Sequence, residues 1–333
     1  MKIDKKNSII YITCPANFAS GGPYLLHQLA YKFIQLGYNA KMFYFTESIN
    51  EDPVHEFYTY MKIPYSLEIE NNYSNLLVIP ETYTNLIFKH ENIQKVIWWL
   101  SVDNFFVTNA KKPSFSTMRF LGLKKERDYY NFQKRPKHFH WVQSFYAEHF
   151  LKSKGITHIK YLSDYLNDIF IDEVKDIKFD STNKENIISY NPKKGYEVTE
   201  ILIEKTPHLK WVAIENMTPD EVKELLLKSK IYIDFGHHPG KDRIPREAAI
   251  CGCIVITNTK GSADFFEDVS IPNQYKIDYS PKKEKEIIKL LETCLSDYDV
   301  KLKDFEFYKN KIINEEIRFN QNLKEILKDF ESC

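Results

Sequence analysis

The stretch from Ile231 to Asp268 holds the densest set of groups able to do chemistry in this 333-residue chain. A polar, glycine-bearing segment, Phe235-Gly236-His237-His238-Pro239-Gly240-Lys241-Asp242, follows an apolar run and leads into Arg243-Ile244-Pro245-Arg246-Glu247-Ala248-Ala249. A carboxylate such as Glu247 in a first helical turn can accept two hydroxyl hydrogen bonds from a ribose, and Arg243 or Lys241 can neutralise a diphosphate. Glu247 would also suit the helix dipole with no ligand present, but that reading leaves the ionic and His content of the loop unexplained. Gly261-Ser262-Ala263 follows the next apolar run. Near the start, Ser20-Gly21-Gly22 separates an apolar run from a helical pattern. Glycines there let a phosphate approach closely and a helix N-terminus offers free N–H groups; a tight turn needing positive φ is the alternative. Asn191-Pro192-Lys193-Lys194-Gly195 has a similar setting, with Lys194 either a point charge for a diphosphate or an ordinary exposed lysine. Neither G-x-G-x-x-G nor G-x-x-x-x-G-K-S/T occurs, which counts against nicotinamide-dinucleotide and nucleoside-triphosphatase chemistry.

These groups need elements that place them together. Ser8 to Thr13 reads as a strand, and Tyr24, Leu25, Leu26, Leu29, Ala30, Phe33, Ile34 and Leu36 recur at helical spacing up to a stop at Gly37. Ala40 to Phe45 then reads as a second strand, completing a βαβ unit that implies parallel pairing. Further strands are expected at 75–80, 95–102, 139–144 and 159–162, with a helix over 146–154. The alternation restarts with a strand over 186–190, a helix over 196–205, a strand over 210–214, and a helix over 218–229 opened by a Thr218/Glu221 capping box. A strand over 231–235, a helix over 245–251 and a strand over 254–257 complete it. The expected fold class is α/β: two Rossmann-like β/α/β domains, 1–165 and 186–305, facing across a cleft and joined by a linker over 166–185. A C-terminal helical tail, 306–333, has the first domain as its candidate packing partner.

Lys plus Arg and Asp plus Glu number 46 each, so no whole-chain field favours nucleic acid or an acidic partner. Five scattered cysteines and no cleavable signal argue against a disulfide framework and for a cytoplasmic protein, with Cys251 and Cys253 in the core. No apolar run reaches the roughly 18 residues of a membrane span. Residues 111–141 interleave Lys and Arg with aromatics, a mixture that can rest peripherally on an anionic membrane or grip an anionic or lipid-linked acceptor, or simply form a solvated helix pair. His138 and His140 read as packing or acceptor contacts. Asp297-Tyr298-Asp299 has metal-site spacing but sits in the helical tail, far from any strand end.

The chain resembles the GT-B glycosyltransferases, in particular the group-1, family-4-like bacterial type, typically retaining. The resemblance rests on Gly21-Gly22 with Leu25, Leu29, Ala30, Leu36 and Gly37, on Lys194-Gly195 after a strand, and on Glu247-Ala248-Ala249-Ile250-Cys251-Gly252-Cys253-Ile254-Val255. It implies transfer of a sugar from a nucleotide-diphosphate sugar to an acceptor hydroxyl of a surface polysaccharide, lipid-linked saccharide or glycoprotein, with no cofactor and no metal required. Gly22 would contact the diphosphate, Lys194 would stabilise it and Glu247 would hold the ribose. The chain departs from the family at two positions: Pro239 stands where a further Glu is common, and Val102 where a His precedes Asp103. The first leaves His238, Lys241 or Asp242 as replacement sugar contacts, beside Gly261 and Ser262. Asp103 is a candidate to orient the acceptor hydroxyl or take its proton, with a turn or N-cap role as the alternative; Glu81 has the same two readings. An inverting enzyme using Asp103 or a His as base, and a non-catalytic nucleotide-sugar or saccharide binding protein, are the competing readings.

Overall fold

The computed structural model describes residues 1–45, 52–110, 130, 132, 138–166 and 168–331. They group into two compact units, 1–163 with 320–333, and 164–319.

In the first unit, β1 (Ile9–Pro15), α1 (Gly21–Gln35), β2 (Asn39–Phe45), β3 (Tyr65–Ser66), β4 (Leu76–Pro80), β5 (Gln94–Trp99), α2 (Val102–Ala110), β6 (Phe139–Val142), α3 (Phe145–Ser153) and β7 (Ile159–Tyr161) follow in order. The strands form a parallel sheet ordered β3-β2-β1-β4-β5-β6-β7. Strands covered on both faces need apolar residues at every position, which is why Leu76–Pro80 is buried throughout instead of alternating. The order reverses direction between β1 and β4, and at such a switch point the loops leaving adjacent carboxyl ends diverge and open a crevice. The loop that leaves β1 there runs into α1, whose first residues are Gly21 and Gly22, and Glu81 follows β4.

The second unit contains α4 (Asp168–Val174), β8 (Glu185–Tyr190), α5 (Tyr196–Lys205), β9 (Lys210–Ala213), α6 (Pro219–Lys228), β10 (Ser229–Asp234), α7 (Arg243–Ile250), β11 (Ile254–Thr257), α8 (Glu284–Ser296), α9 (Tyr298–Lys301) and α10 (Glu306–Ile313). Its parallel sheet is ordered β11-β10-β8-β9, so the switch point falls between β8 and β10. The final helix α11 (Glu315–Glu331) begins in this unit and ends in the first. There Phe330 stacks on Phe33 and meets Tyr38 edge-on. The expected capping box is formed: Thr218 accepts the Glu221 N–H, and Glu221 accepts the Thr218 N–H at 2.7 Å.

Buried Lys184 ties the second unit's layers. Its Nζ donates to the carbonyls of Leu226, Ser229 and Cys251 at 2.9, 2.8 and 2.6 Å, so one ammonium serves chain segments leaving α6 and α7. Lys184→Met takes the ammonium from the Cys251 carbonyl and leaves the Leu226 and Ser229 carbonyls to share the weak Cys253 thiol donor, and urea unfolding is expected to show a loss of about 2–4 kcal/mol.

The four cysteines among the described residues, Cys14, Cys251, Cys253 and Cys294, are free and buried. Cys333, and the greater part of the basic-aromatic segment 111–141, lie outside the described residues. No helix among the described residues is long and apolar enough to cross a membrane.

Candidate functional site in the second unit

Three loops leave the carboxyl edge of the second sheet, and the backbone of each is locked to another. Gly195, with φ +61°, lies so close to the β10 loop that a Cβ would stand 2.4 Å from the Gly236 nitrogen; a Cβ on Gly236 would stand 2.5 Å from the Lys194 Cβ. These glycines are required by the contact between two turns across the β8/β10 switch point. On the other side, Asn258 donates to the Phe235 and Gly236 carbonyls at 2.6 and 2.8 Å, and Ser262 donates from N to His238 O and from Oγ to Gly240 O. A Cβ on Gly261 would overlap the His238 carbonyl. Gly261 and the buried Ser262 therefore brace the β10 loop from behind.

The braced loop presents a charge cluster. Lys194 Nζ sits 2.7 Å from Asp242 Oδ2, His238 Nδ1 lies 2.9 Å from the same oxygen, and His238 Nε2 lies 3.8 Å from Asp234 Oδ1. Asp234 also accepts the Gly236 N–H at 3.0 Å and the Tyr232 hydroxyl at 3.3 Å. Burial pulls the His238 pKa down, but its close contact with Asp242 and the charges of Asp234 and Asp242 outweigh that, so the net shift is upward. Burial raises Asp242 as well, yet His238 and Lys194 bring it below its ordinary value. Asp234, with weaker compensation for its burial, moves up. A raised His pKa stabilises the fold fully below the unfolded value of about 6.5 and loses that contribution as pH rises through the folded value. The stability gap between wild type and His238→Asn is thus expected to narrow from pH 6 to pH 9 in urea titrations. A gap that is constant or widens would contradict the doubly paired imidazolium.

Asp234, His238 and Asp242 each offer one ligand atom, all within 4.8 Å of one another, a spacing a divalent ion could use. A cation at Asp242 would have to compete with the Lys194 ammonium already paired there. Next along the chain, α7 carries Arg243 and Glu247 one turn apart, with Arg243 Nη2 3.1 Å from Glu247 Oε1 and both side chains partly exposed.

The expected candidates thus divide. Lys194, Asp242, Arg243 and Glu247 keep partly exposed polar groups around the switch point. His238 is fully buried, and Lys241 is buried with its Nζ 2.7 Å from Glu315. Asp234 belongs to no motif of the sequence, although a carboxylate closing an apolar strand before Gly236 is a usable signal. Asp297-Tyr298-Asp299 is structural: Asp299 accepts from Ser181 N and Oγ at 2.7 Å each, and Tyr298 donates to Gly252 O.

In the first unit, Gly21 and Gly22 are the first residues of α1 and not a preceding turn. Neither has positive φ, which removes the tight-turn explanation. A Cβ on Gly22 would make only an ordinary 3.8 Å contact with Leu100, so the fold itself does not demand glycine there. Asp103 lies in the first turn of α2, 3.4 Å from the Tyr146 hydroxyl. Glu81 is buried, accepts the Leu100 N–H at 2.9 Å, and is pushed up to about 7 by burial, partly offset by backbone N–H groups. His140 packs: Trp99 donates to its Nδ1, Tyr130 meets its Nε2, and burial lowers its pKa to about 3.

No protein-family model and no curated protein sequence matches the chain. Solved structures do match over nearly its full length. Anabaena HepE in complex with UDP-glucose is 10% identical, with a TM-score of 0.59 over 96% of this chain and 99% of that one. The sucrose-phosphate synthase of Thermosynechococcus elongatus is 11% identical, with a TM-score of 0.61 over 98% and 100%. A glycosyltransferase of Rickettsia africae is 14% identical, with a TM-score of 0.56 over 98% of each. The two parallel α/β units are those of the GT-B glycosyltransferase fold.

Proposed function

We propose that the protein transfers a sugar from a nucleotide-diphosphate sugar to an acceptor hydroxyl, with the donor held by the second unit. The carrying observation is that Lys194 pairs with Asp242 where the β8 and β10 loops are fixed by backbone contact, and that Arg243 and Glu247 pair on the helix that follows Asp242 directly. Fold alone does not define chemistry, so the site must carry the reading. Lys194 and Arg243 offset the negative charge developing on the departing diphosphate, and Glu247 accepts the ribose hydroxyls. The Lys194–Asp242 pair keeps the ammonium preorganised, limiting reorganisation when charge develops. In the first unit, Gly22, free of an internal steric demand, leaves the N–H groups of α1 open to a phosphate, and Asp103 orients the acceptor hydroxyl. In the retaining course, the acceptor attacks on the leaving-group face and a diphosphate oxygen helps remove its proton.

The first unit takes the acceptor, a hydroxyl of a polysaccharide, lipid-linked saccharide or glycoprotein, in the cytoplasm. Residues 111–141 are the candidate contact with an anionic membrane. HepE holds UDP-glucose, which makes UDP-sugars the first donors to test.

A panel of UDP-, GDP- and ADP-sugars, assayed for hydrolysis and transfer, is expected to show turnover with one base. Binding without turnover would favour the non-catalytic reading, and product configuration by NMR separates retention from inversion. With Lys194 and Arg243 supplying the charge, a chelator is expected to change turnover less than about twofold. Loss restored by a divalent ion would assign Asp234, His238 and Asp242 to metal.

A further inference from the structure

Behind the charge cluster lies a second ionic group that the proposed chemistry does not use. Arg246, on the buried face of α7, is 0% exposed. Its Nη1 donates to Glu315 Oε2 at 2.7 Å and its Nη2 to Asp164 Oδ2 at 2.6 Å. Lys241 Nζ sits 2.7 Å from Glu315 Oε1 and 3.7 Å from Asp164 Oδ1. Two cations and two carboxylates therefore balance inside the second unit. Burial alone would raise Asp164, but the Arg246 and Lys241 charges hold it below the ordinary carboxylate range.

Charge balance accounts for two of the guanidinium's contacts. The others go to backbone: Nε donates to Asp242 O and Nη2 to Lys241 O, both at 3.1 Å. These carbonyls belong to the loop whose Asp242 side chain meets Lys194. A planar guanidinium with a fixed fork can hold two carboxylates and two carbonyls at set angles, whereas an ammonium acts as a point charge. Asp164 and Glu315 also lie close to the two places, 163/164 and 319/320, where the chain passes between units.

We propose that Arg246 is a positioning residue for the donor-phosphate site, fixing the Lys241–Asp242 backbone against Asp164 and Glu315 so that Asp242 is aimed at Lys194. The assignment deepens the donor-site reading and rests on it, but its geometric part can be tested without a donor. Arg246→Met alone leaves two buried carboxylates facing one ammonium and is expected to fold poorly. Arg246→Met with Asp164→Asn restores the balance between Lys241 and Glu315 while removing the carbonyl contacts. Arg246→Lys keeps the charge but cannot span all four acceptors.

The test is the rate at which Lys194 is modified by an amine-directed acylating reagent, mapped by mass spectrometry, together with the dissociation constant for UDP. In the folded double variant or in Arg246→Lys, Lys194 is expected to react several-fold faster than in wild type, and UDP to bind about tenfold more weakly. That tenfold corresponds to about 1.4 kcal/mol. A wild-type labelling rate in either folded variant overturns the positioning role. If wild type binds no UDP while Lys194 labelling still accelerates in the variants, the geometric assignment stands and the UDP reading fails.

Discussion

Glu247→Ala is expected to raise the donor KM and to lower kcat/KM about 100-fold while leaving the melting temperature nearly unchanged. The size follows from losing two hydrogen bonds to a charged acceptor, about 1.5–3 kcal/mol if only one is fully effective. The fold is preserved because Glu247 is partly exposed on α7 and Ala is the better helix former. The substitution also removes one contact of Arg243, whose guanidinium lies 3.1 Å from the Glu247 carboxylate, so part of the loss arises from a less confined cation. Glu247→Gln keeps one acceptor oxygen and is expected to lose less. Steady-state kinetics on both variants decides the point. Near-normal kcat/KM in Glu247→Ala would remove Glu247 from the site.

Lys194→Met is expected to have the larger effect on kcat, a drop of about 10²–10³-fold. Negative charge on the leaving diphosphate grows towards the transition state, so a cation placed there stabilises that state more than the ground state. The loss should be greater in kcat than in KM, the opposite balance from Glu247→Ala. The variant also leaves Asp242 with His238 alone, and Asp242 is held below its ordinary pKa in part by Lys194. Single-turnover kinetics with a saturating donor reports the chemical step directly. A Lys194→Met enzyme with normal kcat would show that the ammonium serves only to balance Asp242.

The alternation of strands and helices was legible because parallel strands covered on both faces need uninterrupted apolar runs. Ile9–Pro15, Leu76–Pro80, Ser229–Asp234 and Ile254–Thr257 all fall within a few residues of where those runs placed them. Gly37, Gly155 and Gly252 mark helix ends through positive φ, a requirement visible in the residue type itself. The short β3 was not legible, since Tyr65–Ser66 carries no run at all. In the candidate site, residue type makes Lys194, after a strand, and Glu247, on the following helix, the proposed donor contacts. The separate fates of Lys241, Arg243 and Arg246 could not be read, because all three are cations in one short segment. What divides them is contact with partners remote in sequence: Arg246 pairs with Glu315 and Asp164, 69 and 82 residues away. Long-range partners of that kind leave no local periodicity.

The most direct test of the donor site is a thermal-shift titration of wild type and Glu247→Ala with UDP, GDP and ADP. A ligand bound only to the native state raises apparent stability by mass action, about 2.7 kcal/mol at 100 times its dissociation constant. One diphosphate is expected to raise the wild-type melting temperature in a saturable way and to shift Glu247→Ala far less at the same concentration. Absence of a shift with all three at millimolar concentration, or an equal shift in the variant, would contradict a donor held at Lys194 and Glu247.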